Sequence, residues 1–527
     1  MIGLEKSLGW KRAIAALIIV SIFAPLAWFG LVASDPHFAW VMQDDAFYYS
    51  VTARNFVELG WATFDTLNPT NGFHPLYFLL VSGISTSVAP EFYLNAIYLL
   101  HIALLLIAFG KLVQIIGVAP VWVIVLFLPF IASDSWLQNV LGNPGMESTL
   151  AFAAAIYFYD AFRQAAQSGF SAPIRNLAFG VAATALMLSR LDTVVLVMPT
   201  AIAAAAWSIS VTSVRRIPSV WISLFAIPLV FCSIYLAINL TTTGHMTPVS
   251  GAVKWAFRMP WEVSLRTITH GYSPPFVAAF LLPPLMAAIA VVAGVMNLRN
   301  GKFDWGTTLL LAALGIGLYY LYLRFGASNA FNWYLGAVTG VATWIFATLI
   351  ARIRWPRLPV TPAMVLCVFG LLIVVYEFKD TLNGTTSIID RVNDRGQIHK
   401  LSGLGLFLGE IAEPGDIAAT FDAGKIGYFS SIPVINLDGL ANSYRYLEDV
   451  RSTGRFKEYF DDIGVSYFLA RDAVLSEIDA VRDGTYEMTT FALDPRLVFR
   501  STDEVHRVVV DEGFLVIVFR YPPAPMD

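Results

Sequence analysis

The chain has 527 residues, 57% hydrophobic and only 14% charged, with a mean hydropathy of +0.64. That much apolar surface excludes an ordinary soluble enzyme and makes the bilayer the solvent for most of the chain. A formal net charge of −4 and the lack of any basic tract exclude nucleic acid as a partner. The two cysteines, Cys232 and Cys367, both fall in apolar runs. They cannot build a disulfide framework and read as small buried hydrophobes.

In chain order, Lys6, Lys11 and Arg12 precede an apolar run over 13–33. The run is long enough to span, and Ser34-Asp35-Pro36-His37 after it is no cleavage site. It reads as a signal anchor with a cytoplasmic N-terminus. Apolar stretches follow at 74–88, 93–117, 119–133, 147–161, 177–189, 193–211, 217–239, 276–297, 306–323, 332–350 and 361–378. Basic loops holding Arg163 and Arg175, Arg215 and Arg216, Arg299 and Lys302, and Arg352, Arg354 and Arg357 orient them toward the cytoplasm. The loops near 142–147, 189–192, 240–275 and 324–331 then face outside, with everything after residue 378. Residues 44 and 147 share that side although three apolar stretches separate them, so one stretch must fail to cross. The segment 119–133, with Pro120 and Pro129, is the candidate, which leaves about eleven crossings.

From about Lys379 charges become frequent. Alternation over 416–421, 434–438 and 513–519, with helical patterning over 444–463, predicts a soluble α/β domain. The expected architecture is a polytopic α-helical membrane protein, residues 1–378, carrying a C-terminal extracytoplasmic α/β domain, residues 379–527.

The outside loops are rich in groups that are costly near a bilayer. The first holds Asp44, Asp45, Tyr48, Tyr49 and Arg54, then Asn71-Gly72-Phe73-His74-Pro75. Later loops bring Gly145-Met146-Glu147, Arg190-Leu191-Asp192, His245, Thr247 to Lys254, and Trp333-Tyr334. Carboxylates, histidines and cations thus converge on one membrane face from distant segments. They suit sugar transfer from a lipid-linked phosphate: a carboxylate deprotonates an acceptor hydroxyl, and cations stabilise the departing phosphate. Aromatic rings such as Tyr48 and Trp333 are candidate sugar platforms. Each residue also has a plainer use. Paired aspartates cap helices or lie in solvated turns, Arg190 and Asp192 suit an ion pair closing a hairpin, and His74 suits a helix start. Lys254 suits snorkelling, and rings near span ends suit an interfacial belt.

At these motifs the sequence resembles the GT-C superfamily of polyprenyl-phosphate-sugar-dependent glycosyltransferases, and most of all bacterial arabinofuranosyltransferases of the mycobacterial terminal-capping type. The resemblance rests on Asp44-Asp45 with Arg54-Asn55, Gly145-Met146-Glu147-Ser148, Arg190-Leu191-Asp192, and Thr247-Pro248-Val249-Ser250-Gly251-Ala252-Val253-Lys254, over about the first 260 residues. Gly424-Lys425-Ile426-Gly427-Tyr428 and Asp438-Gly439-Leu440 extend it more weakly. Leu191 stands where that branch usually has proline, and Asn71-Gly72-Phe73-His74-Pro75 looks more like other GT-C branches.

The resemblance implies an inverting enzyme of a bacterial inner membrane, with its C-terminal domain in the periplasm. Asp44 is the first choice of general base, Asp45 the second, and Glu147 a further acid. Arg190 and Lys254, with His74 or His245, would hold the donor phosphate, with Arg54 and Asp192 nearby. The partners implied are a polyprenyl-phosphate-linked sugar, arabinofuranose in that branch, membrane lipid, and a glycan, lipid or protein acceptor. Asp44, Asp45 and Glu147 also offer oxygen ligands to a Mg²⁺ or Mn²⁺ ion. The rival class is a transporter or flippase for a sugar or lipid-linked sugar. It would place its charges near the bilayer midplane and show repeated halves, neither of which the sequence displays.

Overall fold

The structure, a computed structural model, describes residues 23–116, 144–257, 274–297, 305–326, 332–352, 379, 382–394, 398–471, 485–487, 498–500, 503–509 and 515–521. The expected segments at 119–133 and 361–378 lie outside the described residues, as do Lys6, Lys11, Arg12, Arg299, Lys302, Arg354, Arg357 and Cys367. Cys232 is free and half-buried rather than fully buried.

After an apolar helix ending at Val32 come α1 (Asp35–Val41), α2 (Asp44–Leu59), α3 (Pro75–Ser87) and α4 (Tyr93–Ile116). Next are α5 (Ser148–Gln167), α6 (Pro173–Ser189), α7 (Val194–Val211), α8 (Ile217–Thr243) and the short α9 (Val249–Ala256). The membrane part continues with α10 (Pro274–Asn297), α11 (Trp305–Gly326) and α12 (Gly336–Ile350). Six helical segments among the described residues are long and apolar enough to cross a bilayer, with three shorter apolar helices beside them.

One of the shorter helices described does not cross. α3 begins at His74, beside Glu147. α4 begins on the same side: Tyr93 donates to the Ser50 carbonyl at 3.0 Å, and Asn95 Nδ2 donates to the Gly30 and Ala33 carbonyls at 2.9 and 2.8 Å. With 13 residues and about 1.5 Å of rise per residue, α3 is also shorter than the hydrocarbon layer. It therefore lies along the membrane face against α2, where Phe56 meets Phe78 and Tyr49 meets Tyr77. The segment expected to stay on one face, 119–133, lies outside the described residues.

α5 is buried along nearly its whole length, and glycine sets its contact with α12. A Cβ on Gly336 or Gly340 would lie 2.5 Å from the Ser148 or Phe152 carbonyl oxygen. This small-xxx-small spacing lets the two backbones approach and fixes the start of α12 against the start of α5. The helix ends at this face carry the polar motifs; the opposite ends carry Arg163, Arg175, Arg215, Arg216 and Arg352.

The C-terminal part follows with α13 (Lys400–Ile411), β1 (Ala418–Thr420), α14 (Gly424–Phe429), β2 (Val434–Asn436), α15 (Phe456–Ile463) and β3 (Tyr467–Arg471). The strands β4 (Thr485–Glu487), β5 (Val498–Arg500), β6 (Glu504–Val509) and β7 (Leu515–Arg520) complete it. The main sheet is ordered β2-β1-β3-β7-β6. β1 pairs in parallel with β2 and β3, in register Ala419 with Ile435 and with Phe468, while β3–β7 and β7–β6 are antiparallel. β4 and β5 form a separate antiparallel pair. Helices cross between the parallel strands, so loops 421–424 and 437–443 leave the carboxyl ends of β1 and β2 together. That edge is where α/β sheets place their sites, and here it docks on the first loop of the membrane part.

Candidate active site

The first site element is α2, and its spacing divides the labour. Residues four apart share a helix face, so Asp44 pairs with Tyr48 and Asp45 with Tyr49. The Asp44 face meets the C-terminal part. Asp44 Oδ2 accepts from the Gly424 N–H at 2.9 Å and Oδ1 from the Lys425 N–H at 2.8 Å, capping the start of α14. Position 424 must be glycine, because a Cβ there would sit 2.1 Å from the Asp44 carbonyl oxygen. Tyr48 continues the clasp. Its hydroxyl accepts from the Ala423 N–H at 3.0 Å and Asn436 Nδ2 at 2.8 Å, and donates to Asp438 Oδ2 at 3.4 Å.

The Asp45 face meets other charges. No protein donor contacts the Asp45 carboxylate among the described residues. Burial, then the negative charge of Asp44, push its pKa up to about 7; Lys254 opposes that shift, while Asp438 and Glu147 add to it. Asp44 is also raised by burial, against the two N–H groups and Lys425 that favour its charged form. Both follow the ordinary rule that losing water disfavours the carboxylate, while donors and cations restore it.

Glu147 precedes α5 on a turn where Gly145 takes a φ of +85° and packs against Ala46. Its Oε1 accepts from Arg190 Nη1 at 2.7 Å and lies 3.7 Å from His74 Nε2. Arg190 is 1% exposed. It also reaches Asp192 with two bonds, at 3.1 and 2.8 Å, and the Trp333 carbonyl at 3.1 Å. Its guanidinium lies 4.6 Å from the centre of the Tyr334 ring. Asp192 accepts a further bond from Tyr319 at 3.1 Å. His74 is held by the Leu191 N–H, which donates to Nδ1 at 3.2 Å. That bond puts its ring proton on Nε2, toward Glu147. Burial, ahead of the opposing Glu147 charge, lowers the His74 pKa to about 4, so the ring is neutral at pH 7.

Lys254 comes from the last turn of α9, with Nζ 4.9 Å from the Tyr334 ring centre. Val249 and Val253 bury the other face of α9 against Tyr444 and Leu447, and Asn71 ties the first loop to its start through Val249 at 2.9 Å and Thr247 at 3.2 Å.

The structure thus brings Asp45, Glu147, His74, Arg190, Asp192 and Lys254 together, and gives several of them tasks other than those expected. Arg190 is turned inward and committed to two carboxylates, so it is not an open phosphate ligand. Tyr48 is a clasp and not a sugar platform. Trp333 contributes its carbonyl to Arg190, its ring lying against Tyr334. Arg54 points away, 5.3 Å from the Tyr428 ring centre. His245 lies at the rim, stacked on Tyr444 at 3.7 Å and 3.5 Å from Glu448. Asp44, Asp45 and Glu147 do not fit one shared cation, because Asp44 spends both oxygens on backbone N–H groups and Glu147 spends Oε1 on Arg190. Among the described residues no group of three such side chains suits a metal.

Two residues were not singled out from the sequence as site residues. Asp438 reaches the carboxylates from the end of β2, signalled only by the triplet Asp438-Gly439-Leu440. Tyr334, under both cations, had no signal beyond following Trp333.

Comparison with known proteins bears on the fold. A family model described as a domain of unknown function (DUF8728) matches residues 390–509. Sequence comparison with curated proteins finds no match. The crystal structure of the Archaeoglobus fulgidus oligosaccharyltransferase in the apo form is similar, with a TM-score of 0.53 at 12% identity over 87% of this chain and 69% of that one. The chain has a GT-C fold. The archaeal oligosaccharyltransferase AglB from Archaeoglobus fulgidus, in complex with an inhibitory peptide and a dolichol-phosphate, gives a TM-score of 0.47 at 10% identity over the same shares. At these identities the likeness concerns the fold of a multi-pass membrane protein and does not single out the arabinofuranosyl branch.

Proposed function

We propose that the chain is an inverting glycosyltransferase that moves a sugar from a polyprenyl-phosphate donor to a hydroxyl of a glycan, lipid or protein. It would work on the extracytoplasmic face of a bacterial inner membrane. Residues 1–378 form its membrane catalytic part and 379–527 a periplasmic domain. The observation that carries the reading is Asp45, a carboxylate without a protein donor, poised near neutrality and facing Lys254 at a membrane surface. That combination suits a general base at physiological pH.

Asp45 takes the proton of the acceptor O–H as the oxygen bonds to the anomeric carbon. The bond from that carbon to the phosphate oxygen breaks, and its electron pair leaves with the polyprenyl phosphate, whose charge Lys254 balances. Glu147, fixed by Arg190 and His74, sets the acidic wall opposite. Asp44, first choice by resemblance, becomes the clasp and Asp45 the base. The charges gather at helix ends rather than at the bilayer midplane, which favours transfer over the transporter or flippase alternative. Arabinofuranose, which the first-loop resemblance implies, is the donor to try first.

The test is polyprenyl-phosphate release by purified protein over a panel of short-chain polyprenyl-phosphate sugars, comparing wild type with Asp45→Asn and Asp44→Asn. Loss of transfer by about 10²–10⁴-fold in Asp45→Asn, with fold and donor binding intact, is the expected result. A fully active Asp45→Asn protein would move the base to Asp44. No transfer by wild type from any donor in the panel would overturn the transferase reading.

A further inference from the structure

On the membrane-facing side of α4, α5 and α6 lies a groove of about 770 Å³, away from the carboxylates. Its walls are apolar, formed by Leu104, Ile107, Ala154, Ala178, Val181 and Ala185. Ile107 and Val181 are about half exposed, at 51% and 50%. At one end the lining turns polar with Lys111, Gln164 and Arg175.

That end is the membrane face opposite the active site: α4 and α5 start on the carboxylate side and reach Lys111 and Gln164 near their far ends, while α6 starts there with Arg175. From Arg175 to Ala185 the groove runs about ten helical residues, or ~15 Å, half the ~30 Å hydrocarbon thickness. It is therefore one leaflet deep.

The polar end carries an excess of positive charge. Asp160 receives Lys111 Nζ at 2.5 Å, Arg163 Nη2 at 2.5 Å and Gln164 Nε2 at 2.7 Å. Its single negative charge faces Lys111 and Arg163, and Arg175, exposed on the first turn of α6, adds a third cation. The cluster therefore carries a net charge of about +2. An acyl-length apolar channel ending in cations at the interface is complementary to a lipid with an anionic headgroup.

We propose that this groove is a binding site for an anionic phospholipid of the leaflet opposite the active site. One acyl chain lies along Leu104, Ala178 and Val181, and the headgroup phosphate rests on Arg175 and Lys111. The site is separate from Lys254 and the carboxylates and stands whatever sugar the enzyme transfers.

The test is native mass spectrometry of the full chain in detergent, titrated with phosphatidylglycerol or phosphatidylcholine of the same acyl chains. Wild type is expected to retain phosphatidylglycerol about tenfold better. Arg175→Gln, at an exposed position, is expected to lose about fivefold of that preference, near the ~1 kcal/mol worth of one basic residue at a charged lipid surface. Ala178→Trp fills the channel and is expected to lose both lipids, while thermal unfolding shows each variant folded. Equal retention of the two lipids by wild type would overturn the proposal, as would an unchanged preference in Arg175→Gln. Displacement by glycerol phosphate alone at matching concentration would show a free-phosphate site instead, and displacement by decaprenyl phosphate in preference to phosphatidylglycerol would reassign the groove to the donor lipid.

Discussion

Asp44 and Asp45 are neighbours of one residue type at the start of one helix, yet they meet opposite surroundings. Asp44 turns to the C-terminal part and spends both oxygens on backbone N–H groups; Asp45 turns to Lys254 and Glu147 and keeps its oxygens. Burial raises both carboxyls, Asp44 to about 6 and Asp45 to about 7; the two N–H bonds hold Asp44 the lower of the two and occupy its oxygens, while those of Asp45 stay open. Adjacent positions on a helix point about 100° apart, and that rotation alone sends one carboxylate to the C-terminal part and the other toward Lys254.

The comparison can be broken by experiment. The largest effect expected is the loss of transfer in Asp45→Asn set against a much milder kinetic defect in Asp44→Asn; equal losses would show that the pair acts as a unit. Next comes Arg190→Ala, which strands Glu147 and Asp192 as buried charges and should lower stability by about 3–5 kcal/mol in chemical denaturation. Arg190→Lys should rescue it only in part, because an ammonium cannot reproduce the bonds to both acids.

The pH profile follows. With the Asp45 carboxyl raised to about 7, the basic form is depleted below that pH, so kcat/KM should fall about tenfold per unit on the acid side. Asp45→Asn should abolish that limb in whatever activity remains. For stability the sign is the reverse: a raised carboxyl favours folding below its ordinary value near 4 and loses that benefit as pH rises through about 7. Asp45→Asn should therefore gain on wild type in thermal stability between pH 5 and 8. The smallest effect is Tyr48→Phe. It removes the hydroxyl shared by Ala423, Asn436 and Asp438, should cost about 1–3 kcal/mol, and should speed hydrogen exchange in residues 421–443 while leaving donor binding unchanged.

Much of this was legible in the chain, unevenly. Long apolar runs report their own spans, so the helices from 93 to 350 that are described here fall close to their expected limits, and the alternation at 416–421, 434–438 and 513–519 marks three strands of the sheet. Hydropathy reports burial from water and not direction, so 74–88 read as one more span: α3 is apolar because it packs on α2, Tyr77 and Phe78 facing inward. Convergence of Glu147, Arg190 and Lys254 was readable from loop positions. Their division into an inward clamp and an open cation was not, because the three donors of Arg190 find their acceptors 43 and 143 residues away in sequence as well as two. The helix-cap use of paired aspartates, set down as the plainer alternative, describes Asp44, although the helix it caps begins 380 residues later.

That span has a consequence for biogenesis. The two bonds to Asp44 join residues 380 and 381 positions apart. At a synthesis rate of about 5–20 residues per second, the first loop waits on the order of 20–80 s before its clasp is made. Until then Asp44 lacks its two N–H partners, and the early loop stands unlatched. The clasp thus works as a completion signal: a ribosome that stalls short of Gly424 leaves a chain whose described membrane helices are made and whose Asp44 is still without its two N–H partners.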